Sequence, residues 1–244
     1  MIDLSGLVVV VTGAGGGIGE GIAKSFAEAG SSLVLATRTS PVAELVAKQT
    51  VIQVDLNEEQ APALIVEAAL ETFGRIDGLV NNAGIQPLAS TLSVADSDFR
   101  EMLETNVTAA HRLTQAVAHQ MIEQGEGGSI VHIASIEGIQ PAPLHGHYAI
   151  AKAGLRMHAR AAAQELGPHR VRVNTVSPGL IDRPGLTSDW PEGVQRWMSS
   201  VPLGRLGTAD DVGDACVFLC SEMAAFITGV DLVVDGGVLA NPTW

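Results

Sequence analysis

The chain has 244 residues, 46% apolar and 17% charged, enough for one α/β domain with a sizeable core and incompatible with a disordered chain. Its formal charge of −13 argues against nucleic acid or an anionic membrane surface as partner, and no apolar run is long enough to span a bilayer. The first strand-like run starts at Leu7 with no basic flank or cleavage pattern before it, so a cytoplasmic protein is expected. Cys216 and Cys220 sit at helical spacing with no His or further Cys beside them, so reduced core packing is expected there rather than a metal site or disulfide.

Residues 7–11 form a continuous β-branched run, the signature of a strand covered on both faces. They feed Thr12-Gly-Ala-Gly-Gly-Gly-Ile-Gly19 and then an apolar-spaced helix that stops at Gly30. This strand, glycine turn and helix are the first half of a nucleotide-binding unit. Gly13 allows the tight turn, Gly17 lets backbone approach a pyrophosphate, and Gly19 lets the helix pack on the strand, while the helix N-terminus offers free N–H groups to an anion. Strands are expected at 32–37, 51–54, 79–80, 130–134, 171–176 and 231–234. Helices are expected at 42–48, 58–73, 96–124, from Tyr148 onward, and at 209–220, with a loop-rich stretch over 180–206. Asn106 lies inside the 96–124 helix, a poor position for Asn unless its amide is used.

This alternation, with no linker or repeat, predicts a single domain over 1–244, a doubly wound parallel sheet of about seven strands with helices on both faces. Ligands bind such sheets at the carboxyl ends of the strands. The glycine loop, Arg38, Asp55, Asn81 to Gly84, Ser135 and Pro178-Gly179 all fall at such ends. Tyr148 and Lys152 are four apart on one helix, so they share a face. A fixed cation beside a phenol lowers its pKa from ~10 and makes it a usable acid and base. Tyr-x-x-x-Lys by itself is short and common; its position after Ser135 and the glycine loop gives it weight.

In the order and spacing of these motifs the chain resembles the short-chain dehydrogenase/reductase family from Leu7 to Gly237. The matching residues are Thr12-Gly-x-x-x-Gly-Ile-Gly19, Asp55, Asn81-Asn-Ala-Gly84, Asn106, Ser135, Tyr148-x-x-x-Lys152 and Pro178-Gly179. The resemblance implies a Rossmann-type fold and hydride transfer between a nicotinamide and a carbonyl or secondary alcohol, with no metal. It implies that Gly13, Gly15, Gly17, Ile18 and Gly19 cradle the dinucleotide phosphates, that Asp55 and Leu56 meet the adenine, and that Asn82, Ala83 and Gly84 line the adenosine side. Ser135 would polarise the carbonyl and Tyr148 would carry the proton. Lys152 would tune the phenol and bind the ribose, and Asn106 would support a proton-relaying water. Pro178, Gly179 and Ile181 would hold the carboxamide. Arg183 stands where many relatives carry Thr, which alters how the following loop closes.

The second strand ends in Thr37-Arg38, with no acid to accept the adenosine ribose hydroxyls. Arg38 offers a planar donor fork to a 2′-phosphate, so NADP(H) is favoured and NAD(H) is the alternative, in which Arg38 only stacks on adenine. Glu137, His145 and Trp190 are candidates for the substrate pocket. Glu137 and His145 are otherwise solvated loop residues, and Trp190 and Trp197 are otherwise packing anchors for their own loop. Small residues on two long helices, among them Ala109, Ala110, Ala153, Ala159 and Ala163, suggest a homotetramer, or a dimer, with a second interface implied through the last helix, strand and 240–244 tail. The rival functions are a catalytically silent nucleotide sensor or interaction module, which would have lost the Tyr or Lys, and a cofactor-retaining dehydratase or epimerase, which would carry an added substrate domain.

Overall fold

Alternate residues of the first strand point to opposite sides of the sheet, and both sides are buried. In the computed structural model, which describes residues 2–242, strand β1 (Val8–Thr12) sends Val9 and Val11 to one face and Val8 and Val10 to the other. β2 (Ser32–Thr37), β3 (Gln49–Gln53), β4 (Gly78–Asn81), β5 (Gly128–Ile133), β6 (Val171–Pro178) and β7 (Asp231–Val234) complete a seven-stranded sheet in the order β3-β2-β1-β4-β5-β6-β7. Every pairing is parallel. The order reverses between β1 and β4, and the crevice at such a switch point is where a ligand sits.

Helices α1 (Gly17–Glu28) and α8 (Ala209–Cys220) cover one face, with Ile22, Phe26, Val212, Cys216 and Leu219 on Val9, Val11, Leu33 and Leu35. A Cβ on Gly21 would stand 2.3 Å from that of Ala209, so the two helices meet backbone to backbone. The other face is covered by α2 (Ala61–Phe73), α4 (Ala109–Gln124) and α5 (Gly146–Leu166), through Ile65, Leu113, Val117, Met121 and Ala159. Cys216 and Cys220 are free and buried, in accord with core packing.

Three expected elements differ. Residues 42–48 form no helix, because Leu45 donates its N–H to the Gln49 side chain and Gln49 donates to the Ala43 carbonyl, bonds that hold the segment open. The 96–124 helix is divided into α3 (Asp96–Leu103) and α4 by a π-helical turn, Glu104–Thr108. Asn106 sits in that wider turn, and its amide donates to the carbonyls of Met102 and Ile85, both at 3.1 Å. The 180–206 stretch contains α6 (Leu186–Asp189) and α7 (Pro191–Ser200). Ala109, Ala110, Ala159 and Ala163 face the core; of the small helical residues named above only Ala153 is exposed, beside Ile150 and Met157. Thr243 and Trp244 of the tail lie outside the described residues.

Candidate active site

The carboxyl ends of β1, β4, β5 and β6 bring the expected residues to one rim. At β1 the chain turns through Gly13, at φ 65, into α1, whose N-cap is Gly16 and carries no capping side chain. Gly19 is the tightest contact: a Cβ there would lie 2.0 Å from the Gly13 carbonyl oxygen. Gly17, at φ 55, has open space where its Cβ would be. Thr12, whose part sequence reasoning overlooked, ties this loop to the end of β4. Its hydroxyl accepts from the N–H groups of Asn82 and Ala83 at 3.0 and 3.1 Å. The Asn82 amide donates back to the Thr12 carbonyl at 2.9 Å, so this side chain supports the loop from below.

Across the β1–β2 edge, Thr37 and Ser40 crowd Gly15, where a Cβ would meet them at 2.9 and 2.6 Å. Thr37 donates its hydroxyl to the Ser40 carbonyl at 2.9 Å. The Arg38 side chain is exposed and makes no ion pair or hydrogen bond among the described residues. Asp55 caps its own turn by accepting from the Asn57 N–H at 3.0 Å, and Leu56 is partly taken up by the core.

Two residues past the end of β5 stands Ser135, which is buried and opens a single 3₁₀ turn, Ile136–Gly138. Its Oγ accepts from the Glu137 N–H at 3.1 Å, so its own hydrogen is free to donate elsewhere. α5 follows and presents Tyr148 and Lys152, with the ammonium 5.5 Å from the centre of the phenol ring. Lys152 is 4% exposed and donates to the Ile133 carbonyl at 2.8 Å. Burial pushes its pKa down to about 8. Burial also pushes the Tyr148 phenol up to about 12; the Ser135 hydroxyl works against this and the Glu137 charge adds to it. The lowering of the phenol by Lys152 does not show in the chain by itself, where burial outweighs an ammonium directed at a backbone carbonyl.

Asn106 closes the back of the cluster. Its Oδ1 is buried without a hydrogen-bond partner, and a Cβ on Gly84 would stand 2.4 Å from it and 3.6 Å from the Lys152 Nζ. Beside Tyr148, the His145 ring lies 6.1 Å away and its Nδ1 is 2.6 Å from Oε2 of Glu137. Trp190 is not part of this cluster: its ring packs on Gly193 of α7, with Arg196 5.8 Å above it. Trp197, in contrast, reaches the end of β6, where a Cβ on Gly179 would touch its ring at 2.6 Å. Pro178 ends β6, and Ile181 bridges to Gly207. Arg183 pairs with Asp189 at 2.9 Å, which fastens the following loop to α6. Between this loop and the start of α8 lies an open cleft of about 540 Å³ that includes Asp182, Leu186, Thr187 and Ala209.

Residues 13–239 match a family model described as enoyl-(acyl carrier protein) reductase. The chain is 38% identical over 247 residues to an L-rhamnose 1-dehydrogenase (NAD(P)(+)) of Azotobacter vinelandii, covering 96% of each. The chain belongs to the short-chain dehydrogenase/reductase family. A short-chain type dehydrogenase/reductase from Mycobacterium marinum superposes on it with a TM-score of 0.91 at 33% identity, covering 98% of both chains. An acetoin dehydrogenase from Enterobacter cloacae gives 0.87 at 32% identity, covering 99% of both. This short-chain dehydrogenase/reductase is thus an NAD(P)-dependent oxidoreductase that interconverts a carbonyl and an alcohol. Among the described residues, no helix is long and apolar enough to cross a membrane.

Its residues fit a dinucleotide. The uncapped N-terminus of α1 and the open side of Gly17 suit a pyrophosphate, and the orphaned Oδ1 of Asn106 beside Lys152 marks a polar pocket.

Proposed function

We propose that the enzyme reduces a ketone, or oxidises the matching secondary alcohol, with Tyr148 as the proton carrier and NADP(H) favoured over NAD(H). The observation that carries the reading is the Ser135–Glu137 hydrogen bond, which frees the Ser135 hydroxyl to donate next to the Tyr148 phenol. The nicotinamide, when bound, supplies or accepts the hydride. Ser135 and Tyr148 both donate to the substrate oxygen as it gains negative charge, and these bonds strengthen toward the transition state. In reduction Tyr148 passes its proton to that oxygen; in oxidation it accepts the proton back. Lys152 would hold the ribose of the cofactor, and it returns protons to Tyr148. The unpartnered Oδ1 of Asn106 is the acceptor for a water that feeds Lys152.

Gly13, Gly15, Gly17, Ile18 and Gly19 would bind the phosphates, Asp55 and Leu56 the adenine, Ala83 and Gly84 the adenosine side, and Gly179 and Ile181 the carboxamide. Arg38, just past the end of β2 and without an ion pair among the described residues, with Thr37 rather than an acid before it, supports the NADP assignment. The chain acts as one domain over 1–244, with the substrate loop over about 180–206. A cytoplasmic location is in keeping with its two unpaired cysteines. A homotetramer is supported by two exposed apolar faces, Ile150 and Met157 on α5, and Phe226, Val230 and Val233 around β7. Light scattering tests the assembly, and a monomer at micromolar concentration refutes it.

Nicotinamide absorbance over a panel of ketones and secondary alcohols tests the activity. Tyr148→Phe should lose turnover and keep cofactor binding; retention of more than about 5% of kcat by this variant would assign the acid elsewhere.

A further inference from the structure

We propose that Glu137, oriented by His145, selects the substrate by accepting a hydrogen bond from a second hydroxyl group, so that the substrate is an uncharged polyhydroxylated compound. The proposal rests on the oxidoreductase reading above and deepens it.

Both residues are held in place. Glu137 lies in the turn that Ser135 caps, so the carboxylate and the Ser135 hydroxyl are delivered together. That turn is clamped onto α5: a Cβ on Gly138 would sit 2.9 Å from the backbone of Lys152, and Arg156 donates to the Gly138 carbonyl at 2.8 Å. Arg156 is anchored in turn on Asp231 at 2.9 Å. On the other side, Leu144 adopts φ 66, a left-handed conformation that branched residues rarely take, and its carbonyl accepts from the Ala89 N–H at 2.9 Å. Such strain persists where the surroundings impose it, and here it sets the residue immediately before His145.

The pair itself is drawn in from solvent, with each side chain 17% exposed and the nitrogen 2.6 Å from the carboxylate oxygen. Solvated loop residues do not need this arrangement. The Nδ1–H of His145 donates to Oε2 of Glu137, which fixes the direction of the carboxylate and leaves Oε1 turned away from the imidazole. Glu137 Oε1 has only a long contact of 3.4 Å from Gln86. The rim around Tyr148 therefore holds two donors, Ser135 and Tyr148, for the reacting oxygen, and one acceptor, Glu137 Oε1, for something else. A neighbouring hydroxyl supplies the matching hydrogen. A carboxylate or phosphate supplies none and brings a second negative charge to Glu137.

The test is steady-state kinetics on the full-length enzyme with three alcohols: cyclohexanol, the vicinal diol of cyclohexane, and hydroxybutyrate. The wild type should oxidise the diol with kcat/KM at least ~10-fold above cyclohexanol and should reject hydroxybutyrate. Glu137→Gln should raise KM for the diol, collapse that preference and increase kcat/KM for hydroxybutyrate, a gain that a misfolded variant cannot show. His145→Ala should lose the diol preference and His145→Gln should keep part of it. Equal wild-type use of diol and cyclohexanol, or equal loss of both in Glu137→Gln, overturns the proposal alone. Failure to turn over any alcohol or ketone with either cofactor overturns the oxidoreductase reading and this proposal with it.

Discussion

The Lys152 ammonium stands 5.5 Å from the centre of the Tyr148 ring and gives its hydrogen bond to the Ile133 carbonyl. Both groups are consequently held toward their neutral forms, the phenol near 12 and the amine near 8, by burial above all. A protonated phenol is the form that donates in ketone reduction. Tyr148 is the single tyrosine of the chain, so tyrosinate absorbance of the native protein reports it alone. The tyrosinate midpoint of the native protein should lie above the ordinary tyrosine value, at about 12. A native-state midpoint below 10, the ordinary tyrosine value, would show that the Lys152 charge outweighs burial after all.

The depressed amine makes Lys152 a stability cost. Below pH 8 both folded and unfolded chains hold the proton, and the cost is fully present. Between about 8 and 10.5 the unfolded chain binds more protons than the native one, so stability rises with pH and the cost disappears above that window. The displacement from 10.5 to about 8 corresponds to about 3 kcal/mol, partly offset by losing the bond to Ile133 in a variant. Lys152→Met should therefore be inactive yet more stable at pH 7 by about 1–2 kcal/mol, with the advantage shrinking by pH 10. Thermal unfolding at both pH values checks this; a pH-independent difference would contradict it.

Gly17 and Gly19, two residues apart at the start of α1, should fail in different ways. Gly19→Ala places a methyl 2.0 Å from the Gly13 carbonyl, so the glycine loop must move, and both stability and cofactor affinity should drop. Gly17→Ala meets nothing within 4 Å but keeps a φ of 55, costing about 1 kcal/mol of backbone strain. Its unfolding midpoint should change little while cofactor affinity falls, because the added methyl occupies the side open to the pyrophosphate. Denaturant unfolding paired with cofactor titration separates the two, and equal destabilisation would refute the contrast.

Arg38→Ala should lower kcat/KM with NADPH by ~10-fold or more, the loss of a charged hydrogen bond worth ~1.5–3 kcal/mol, and should spare NADH. The guanidinium has no carboxylate partner among the described residues to be left stranded, so the unfolding transition should not move. Equal losses with both cofactors would mean that Arg38 stacks on adenine and does not read the phosphate.

Much of this enzyme was legible in the sequence because its signals are local. The β-branched run of 7–11, the glycine spacing of Thr12 to Gly19, the strand ends at Asn81 and Pro178 and the turn that Ser135 opens just past β5 each follow from backbone geometry over a few residues. Helix α8 and strand β7 have the bounds that periodicity and turn residues imply. Residues 42–48 misled because helix propensity there is overruled by side-chain bonds from Gln49. The π-helical turn was half visible: Asn106 was out of place in a helix, but only its partners at Ile85 and Met102 show why the turn widens.

What the tertiary structure alone decided is partnership and burial, which depend on residues far apart in the chain. Tyr148 and Lys152 share a helix face by sequence, yet the direction of each pKa follows from how deeply the fold encloses them. The same holds for the chain of imidazoles running from exposed His111 through His158 at 3.0 Å to fully buried His132 at 3.1 Å, which joins α4, α5 and β5. Glu137 and His145, eight residues apart across a Gly/Pro loop, meet only because Arg156 clamps one end and the strained Leu144 turns the other. Local pattern dictates which segments become strands and helices; desolvation and hydrogen-bond choice are properties of the packed molecule, and those set the chemistry of the site.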